Sequence, residues 1–142
     1  VSVNFLKFDH IGLSVADLDS QVAWYTMALN LRATNSFEVE QLNLRGCFLV
    51  DDQGLVIELL ERKGSEPGLQ AESPAAALLT RGYGHIALRV DDTQNAFDNL
   101  IIAGATAISA PQPAPEQGVS FAFVADPEGN LIEILDRKEP VK

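Results

Sequence analysis

Phe8-Asp9-His10-Ile11-Gly12-Leu13-Ser14-Val15 and its repeat, Tyr83-Gly84-His85-Ile86-Ala87-Leu88-Arg89-Val90, decide how this chain is read. In the first stretch Ile11, Leu13 and Val15 alternate with His10, Gly12 and Ser14, the period-two pattern of a half-buried strand. His10 and His85 are the only two histidines in the protein. Each is followed 48 residues later by a glutamate inside an apolar run, Glu58 in Leu55-Val56-Ile57-Glu58-Leu59-Leu60 and Glu133 in Leu131-Ile132-Glu133-Ile134-Leu135.

A single offset of 75 relates the two halves. It carries His10, Ile11, Leu13, Val15 and Asp17 onto His85, Ile86, Leu88, Val90 and Asp92. At the far end it carries Phe48, Asp51, Gly54, Ile57, Glu58 and Leu60 onto Phe123, Asp126, Gly129, Ile132, Glu133 and Leu135. Two separated stretches in one register mark an internal duplication. Each unit reads strand–helix–strand–strand–strand, which makes the chain α+β, two tandem βαβββ modules. Residues 1–142 are expected to form a single domain, with repeats over 8–63 and 83–138 joined by a linker over 64–82.

Within the first repeat, Asp17-Leu18-Asp19-Ser20 supplies N-cap residues for a helix over about 19–29. Strands follow over 31–38, 42–50 and 55–61, with a turn at Asp51-Asp52-Gln53-Gly54. In the linker, Ser73 and Pro74 suit the start of one or two helical turns. In the second repeat a strand over 84–90 precedes a helix capped by Asp92 and ended by Gly104. Strands are expected over 105–109, 119–125 and 130–136, and Ala110 to Gly118, with three prolines, is expected to be irregular. Pro111 to Pro115 reads either as a lid or as a tight connection between strands.

With 46% hydrophobic residues in 142, the chain can bury a full core. It carries 10 basic against 20 acidic residues, a net charge of −10, which argues against nucleic acid and anionic membrane surfaces as partners. No apolar run approaches the roughly 20 residues of a membrane span. A lone cysteine, Cys47, excludes an intrachain disulfide and reads as a small core residue. The expectation is a soluble cytoplasmic protein.

Glu58 shares a strand face with Val56 and Leu60, and Glu133 with Leu131 and Leu135. Burying a carboxylate there is costly without a partner. A lone strand histidine is usually packed or solvated, and a lone glutamate in an apolar strand usually points out from an edge. Recurrence of all four at one offset weakens those readings, because duplicating a costly charge needs a reason. Gly12 and Ala87, small residues beside the histidines, leave space over the rings. Two imidazoles and two carboxylates, His10, Glu58, His85 and Glu133, suit one divalent ion (Ni²⁺, Co²⁺, Zn²⁺, Mn²⁺ or Fe²⁺) and leave two positions of an octahedron for two substrate oxygens. Trp24, Tyr83, Phe121 and Phe123 read first as core and second as the lining of an apolar pocket.

The stretches Asp9 to Leu18, Gly84 to Asp92 and Asp126 to Ile134 resemble the vicinal oxygen chelate superfamily, which includes glyoxalase I, methylmalonyl-CoA epimerase, extradiol dioxygenases and the fosfomycin and bleomycin resistance proteins. The resemblance spans most of residues 8–136 and implies mixed sheets that curl around a metal, often in a homodimer. The His/Glu/His/Glu set is similar to that of nickel- or cobalt-type bacterial glyoxalase I. This implies a lactoylglutathione lyase-like lyase or isomerase acting on a small substrate with vicinal oxygens through a metal-bound enediolate. Glu133 or Glu58 would be the catalytic base, and the resemblance favours Glu133. An epimerase or an extradiol-type dioxygenase on the same scaffold is the alternative enzyme, and a non-catalytic small-molecule binding or resistance protein the alternative of another class. The chain departs from the glyoxalase I pattern at Ser14, where arginine is usual, and at Arg62, where asparagine is usual. Arg45, Arg62 and Arg89 are the candidates to hold an acidic substrate group instead.

Overall fold

A computed structural model describes residue 3 and residues 5–142. The chain divides into two compact units, Val1–Glu66 and Pro67–Lys142. The first contains β1 (Ile11–Val15), α1 (Leu18–Ala28), β2 (Arg32–Val39), a 3-10 turn (Glu40–Leu42), β3 (Leu44–Val50) and β4 (Val56–Arg62). The second contains α2 (Pro74–Ala77), β5 (His85–Arg89), α3 (Thr93–Ile102), β6 (Thr106–Pro113), β7 (Ser120–Ala125) and β8 (Leu131–Leu135). Their sheets run β1-β4-β3-β2 and β5-β8-β7-β6, the same order in each unit. Each sheet is mixed: β1 lies parallel to β4 and β5 to β8, and the remaining pairs are antiparallel.

The duplication is visible in the turns and caps as well. Asp17 accepts from the Ser20 amide at 2.9 Å to start α1, and Asp92 accepts from the Asn95 amide at 2.9 Å to start α3. Each satisfies an orphan N–H of a helix's first turn. At the β3–β4 turn, Asp51 Oδ1 accepts from the amides of Gln53 and Leu55. At the β7–β8 turn, Asp126 Oδ1 accepts from those of Glu128 and Asn130. Gly54 and Gly129 supply the positive φ that closes these two turns.

Each sheet has one face under a helix. Helix α1 packs on β3 and β4, where Cys47, Leu49, Ile57 and Leu59 are buried with Trp24 and Tyr25. Helix α3 packs on β6, β7 and β8, where Leu100, Ala122, Val124, Ile132 and Ile134 are buried. Because strand side chains alternate, the residues between these face the other way. Glu58, Phe48, Glu133 and Phe123 are all among them.

Four expectations change in detail. Strand β3 begins at Leu44, because Asn43 takes a left-handed backbone (φ 48°) after the 3-10 turn. Strand β6 runs on through Pro113, although Ala110 to Gly118 was expected to be irregular. Prolines are tolerated there because β6 is a sheet edge and its register shifts between Ser109 and Gln112. The segment expected as a linker is part of the second unit from Pro67 onward. Its Leu69, Ala71 and Ala77 pack with Phe123, Ala125 and Leu131, and Gln70 Nε2 donates to the Glu128 carbonyl at 3.1 Å. Ser73 caps α2 through the Ala76 amide at 3.1 Å, as its sequence suggested. Tyr83, read as core, is fully exposed. Trp24, Phe123 and Cys47 are buried. Among the described residues no helix is long and apolar enough to cross a membrane.

Candidate metal centre

The strand register places each histidine–glutamate pair. In the first unit, Glu58 on β4 stands between Gly12 on β1 and Phe48 on β3. In the second, Glu133 on β8 stands between Ala87 on β5 and Phe123 on β7. The histidine lies two residues before Gly12 or Ala87, so it shares their face. His10 directly precedes β1, whose ladder starts at Ile11, whereas His85 is the first residue of β5.

The two pairs have the same contact. Nε2 of His10 lies 3.1 Å from Oε2 of Glu58, and Nε2 of His85 lies 3.1 Å from Oε2 of Glu133. Both carboxylates are largely covered, with side chains 18% and 21% exposed, as their apolar neighbours predicted. The rings are wedged edge-on against phenylalanines: His10 on Phe48 at 5.4 Å between centroids, His85 on Phe123 at 5.1 Å. A Cβ on Gly12 would make only ordinary contact with Glu58 Oε2, at 3.6 Å, and in the second unit Ala87 carries one at the equivalent place.

His10 has a second carboxylate that reasoning from the repeat missed. Its Nδ1–H donates to Asp9 at 2.6 Å. The signal was present in the sequence as a break in the repeat, since Asp9 corresponds to Gly84. This hydrogen bond is the main cause that holds the His10 pKa above the usual imidazole value, with the negative charge of Glu58 adding to it. Ionised carboxylates only accept hydrogen bonds, so a ring between two of them carries a proton on each nitrogen or a metal on one.

The donors fit a divalent metal. Two ligand atoms each about 2.1 Å from a metal and at right angles to each other lie about 3.0 Å apart. The observed 3.1 Å in both pairs matches an adjacent pair of ligands. Imidazole plus carboxylate is also the donor chemistry of borderline divalent ions. Among the described residues no group of three or more His, Cys, Asp or Glu side chains is placed to hold a metal ion, and each unit supplies a pair.

The arginine candidates separate clearly. Arg45 is committed to the helix-side face, where Nη2 lies 3.0 Å from Glu61 and 3.4 Å from Asp19. Glu61 also accepts from the Leu18 amide at 2.7 Å. Arg45 first, and this amide second, hold the Glu61 carboxyl below its usual range. Arg62 and Arg89 lie on the ligand-bearing faces, four residues after Glu58 and His85, and neither has an ion pair among the described residues. Ser14, the repeat counterpart of Arg89, lies opposite Leu60 on the first unit's ligand-bearing face.

Comparison with known proteins places the chain in a family. Residues 7–134 match the model of the Glyoxalase/Bleomycin resistance protein/Dioxygenase superfamily. A probable lactoylglutathione lyase of Vibrio cholerae is 30% identical over 92% of this chain and 90% of its own length. One from Vibrio parahaemolyticus is 32% identical with the same coverage. The crystal structure of glyoxalase I from Zea mays shares the fold, with a TM-score of 0.72 at 23% identity, over 92% of this chain and 44% of that one. On a family match that spans nearly all of both repeats, the chain belongs to the glyoxalase/bleomycin resistance protein/dioxygenase superfamily.

Proposed function

We propose that the pair His10 and Glu58 and the pair His85 and Glu133 are ligands of a divalent metal ion, at which a small substrate with two vicinal oxygens undergoes a proton-shift reaction. The chain is a glyoxalase I-like lyase/isomerase, in keeping with its lactoylglutathione lyase relatives. The observation that carries the reading is the repeated pair, two histidine–glutamate contacts of 3.1 Å at equivalent positions of a duplicated fold. When bound, the metal supplies Lewis-acid polarisation of the substrate oxygens.

The protein's own groups do the rest. Glu133 takes the C–H proton from the carbon next to the carbonyl and returns it to the neighbouring carbon, and Glu58 is its counterpart in the repeat. Phe48 and Phe123 pack edge-on against the histidine rings and help to hold their orientation. Arg89 has a free guanidinium on the ligand-bearing face of the second unit and holds an acidic substrate group, such as a carboxylate of a glutathione adduct. The protein acts as a cytoplasmic homodimer, the assembly implied by the family resemblance, with Cys47 a buried thiol.

The test is metal analysis of the purified protein, followed by reconstitution of the apoprotein with Ni²⁺, Co²⁺, Zn²⁺ or Fe²⁺. Activity on the hemithioacetal of methylglyoxal and glutathione is then measured. Turnover with Ni²⁺ or Co²⁺ supports the reading. Failure of every metal to bind or to restore isomerisation refutes it. Oxygen consumption with Fe²⁺ on a catechol would move the protein to the dioxygenase side of the family.

A further inference from the structure

The two half-sites differ on the outer side of the histidine. We propose that Asp9 is a positioning residue of the metal centre, whose carboxylate fixes the His10 ring so that Nε2 is presented to the metal together with Glu58. The inference rests on the metal reading above.

A neutral imidazole exists in two tautomers, and only the one with its proton on Nδ1 leaves Nε2 free to bind a metal. An acceptor at Nδ1 selects that tautomer, stops the ring from rotating and makes Nε2 a better donor. Asp9 does this at 2.6 Å, the shorter of the two contacts that His10 makes to carboxylates. Asp9 and His10 both precede β1. Within a paired strand, neighbouring side chains point to opposite faces. Before the ladder begins, the chain is free to bring Asp9 round to its neighbour's ring.

A purely structural role fits Asp9 poorly. Its side chain is 90% exposed, so it fills no part of the core. Its ion pair among the described residues is with His10. Among the described residues nothing equivalent supports His85, which pairs with Glu133 and follows Gly84. The arrangement is therefore a carboxylate behind a ligand histidine, installed in one module only.

The experiment compares the wild-type protein with Asp9→Ala and Asp9→Asn. Zn²⁺ affinity is measured by competition with a chromogenic chelator, and the melting temperature of each apoprotein is recorded. The Asp9→Ala protein is expected to bind Zn²⁺ about 10–100-fold more weakly. Asp9→Asn, which keeps an acceptor but loses the charge, is expected to fall between. The apo melting temperatures should stay together. In the zinc-loaded wild type, ¹⁵N NMR should show His10 protonated at Nδ1, and this signature should be lost or mixed in Asp9→Ala. Asp9→Ala binding Zn²⁺ as tightly as wild type would overturn the inference and leave the metal reading standing. A loss of affinity matched by a fall in apo melting temperature would overturn it too, by making Asp9 a folding residue. Failure of the wild type itself to bind Zn²⁺, Ni²⁺ or Co²⁺ would remove the metal reading, and this inference with it.

Discussion

The first half-site is a histidine clamped between two carboxylates, whereas the second is a histidine with one. The faces around them have diverged in two more ways. Ser14 stands in the first unit where Arg89 stands in the second. The second aromatic also arrives by a different route. Phe121 comes directly from β7, next to Phe123. Its repeat counterpart is Gly46, and there Phe37 reaches over from β2 to cover the glycine and tilt against Phe48. What the duplication keeps is what the backbone register enforces, a glutamate between a small residue and a phenylalanine with a histidine at the strand's start. What it releases is everything that side chains alone can supply.

The strongest way to break this comparison is at the glutamates. In metal-saturated enzyme, Glu133→Gln should lower kcat by about 10²–10⁴-fold with the fold intact by circular dichroism. Glu58→Gln should weaken metal binding while costing turnover less. Equal losses of kcat at both positions would make the base assignment symmetric, and near wild-type turnover in Glu133→Gln would remove that residue as the base.

The faces come next. Arg89→Ala should raise KM for an acidic substrate about 10-fold, the worth of one charge-assisted hydrogen bond, and leave kcat nearly unchanged. Ser14→Ala should do neither. A neutral substrate analogue that loses as much with Arg89→Ala would show that the arginine does not read charge. Gly84→Asp sharpens the histidine comparison. The position has open space for a Cβ and needs no left-handed backbone, so the variant should fold and tighten Zn²⁺ binding by about threefold through support of His85.

Packing and charge on the first unit are expected to have smaller effects. A Cβ on Gly46 meets the far edge of the Phe37 ring. Gly46→Ala should therefore cost about 1–2 kcal/mol in chemical denaturation. Adding Phe37→Ala should relieve that clash, so the two changes should not add. At the smallest end, the Glu61 carboxyl is held below its usual range by Arg45. In the unfolded chain it binds a proton more readily, so the pair stabilises the fold above the ordinary carboxylate pKa. That stabilisation is lost as pH falls through the lowered folded-state value. Removing the guanidinium with Arg45→Ala should flatten the acid side of the stability profile. Ser120 and Asp136 occupy the equivalent places in the second unit, where the Ser120 backbone amide donates a hydrogen bond to Asp136 Oδ1 at 2.7 Å. Among the described residues they form no charge pair.

Much of this was legible because it is periodic. Alternation around His10 and Glu58 set the strand faces, Asp17 and Asp92 marked the helix starts, and one offset joined the two histidines and two glutamates as equivalents. Such local patterns follow from backbone geometry and solvent, and they survive without knowledge of the third dimension. The run of β6 through Pro111 and Pro113 was not legible, since only its edge position excuses the missing donors. Nor was the packing of Leu69, Ala71 and Ala77 onto the sheet, because a Gly- and Pro-rich segment carries no period. Arg45 and Arg89 look alike as letters, and a one-residue difference in strand parity sends one to Glu61 and leaves the other on the ligand-bearing face. Asp9 showed in the sequence only as a break in the repeat: neighbours in sequence normally diverge in a strand, and only the chain's path just before β1 turns its carboxylate onto the ring of His10.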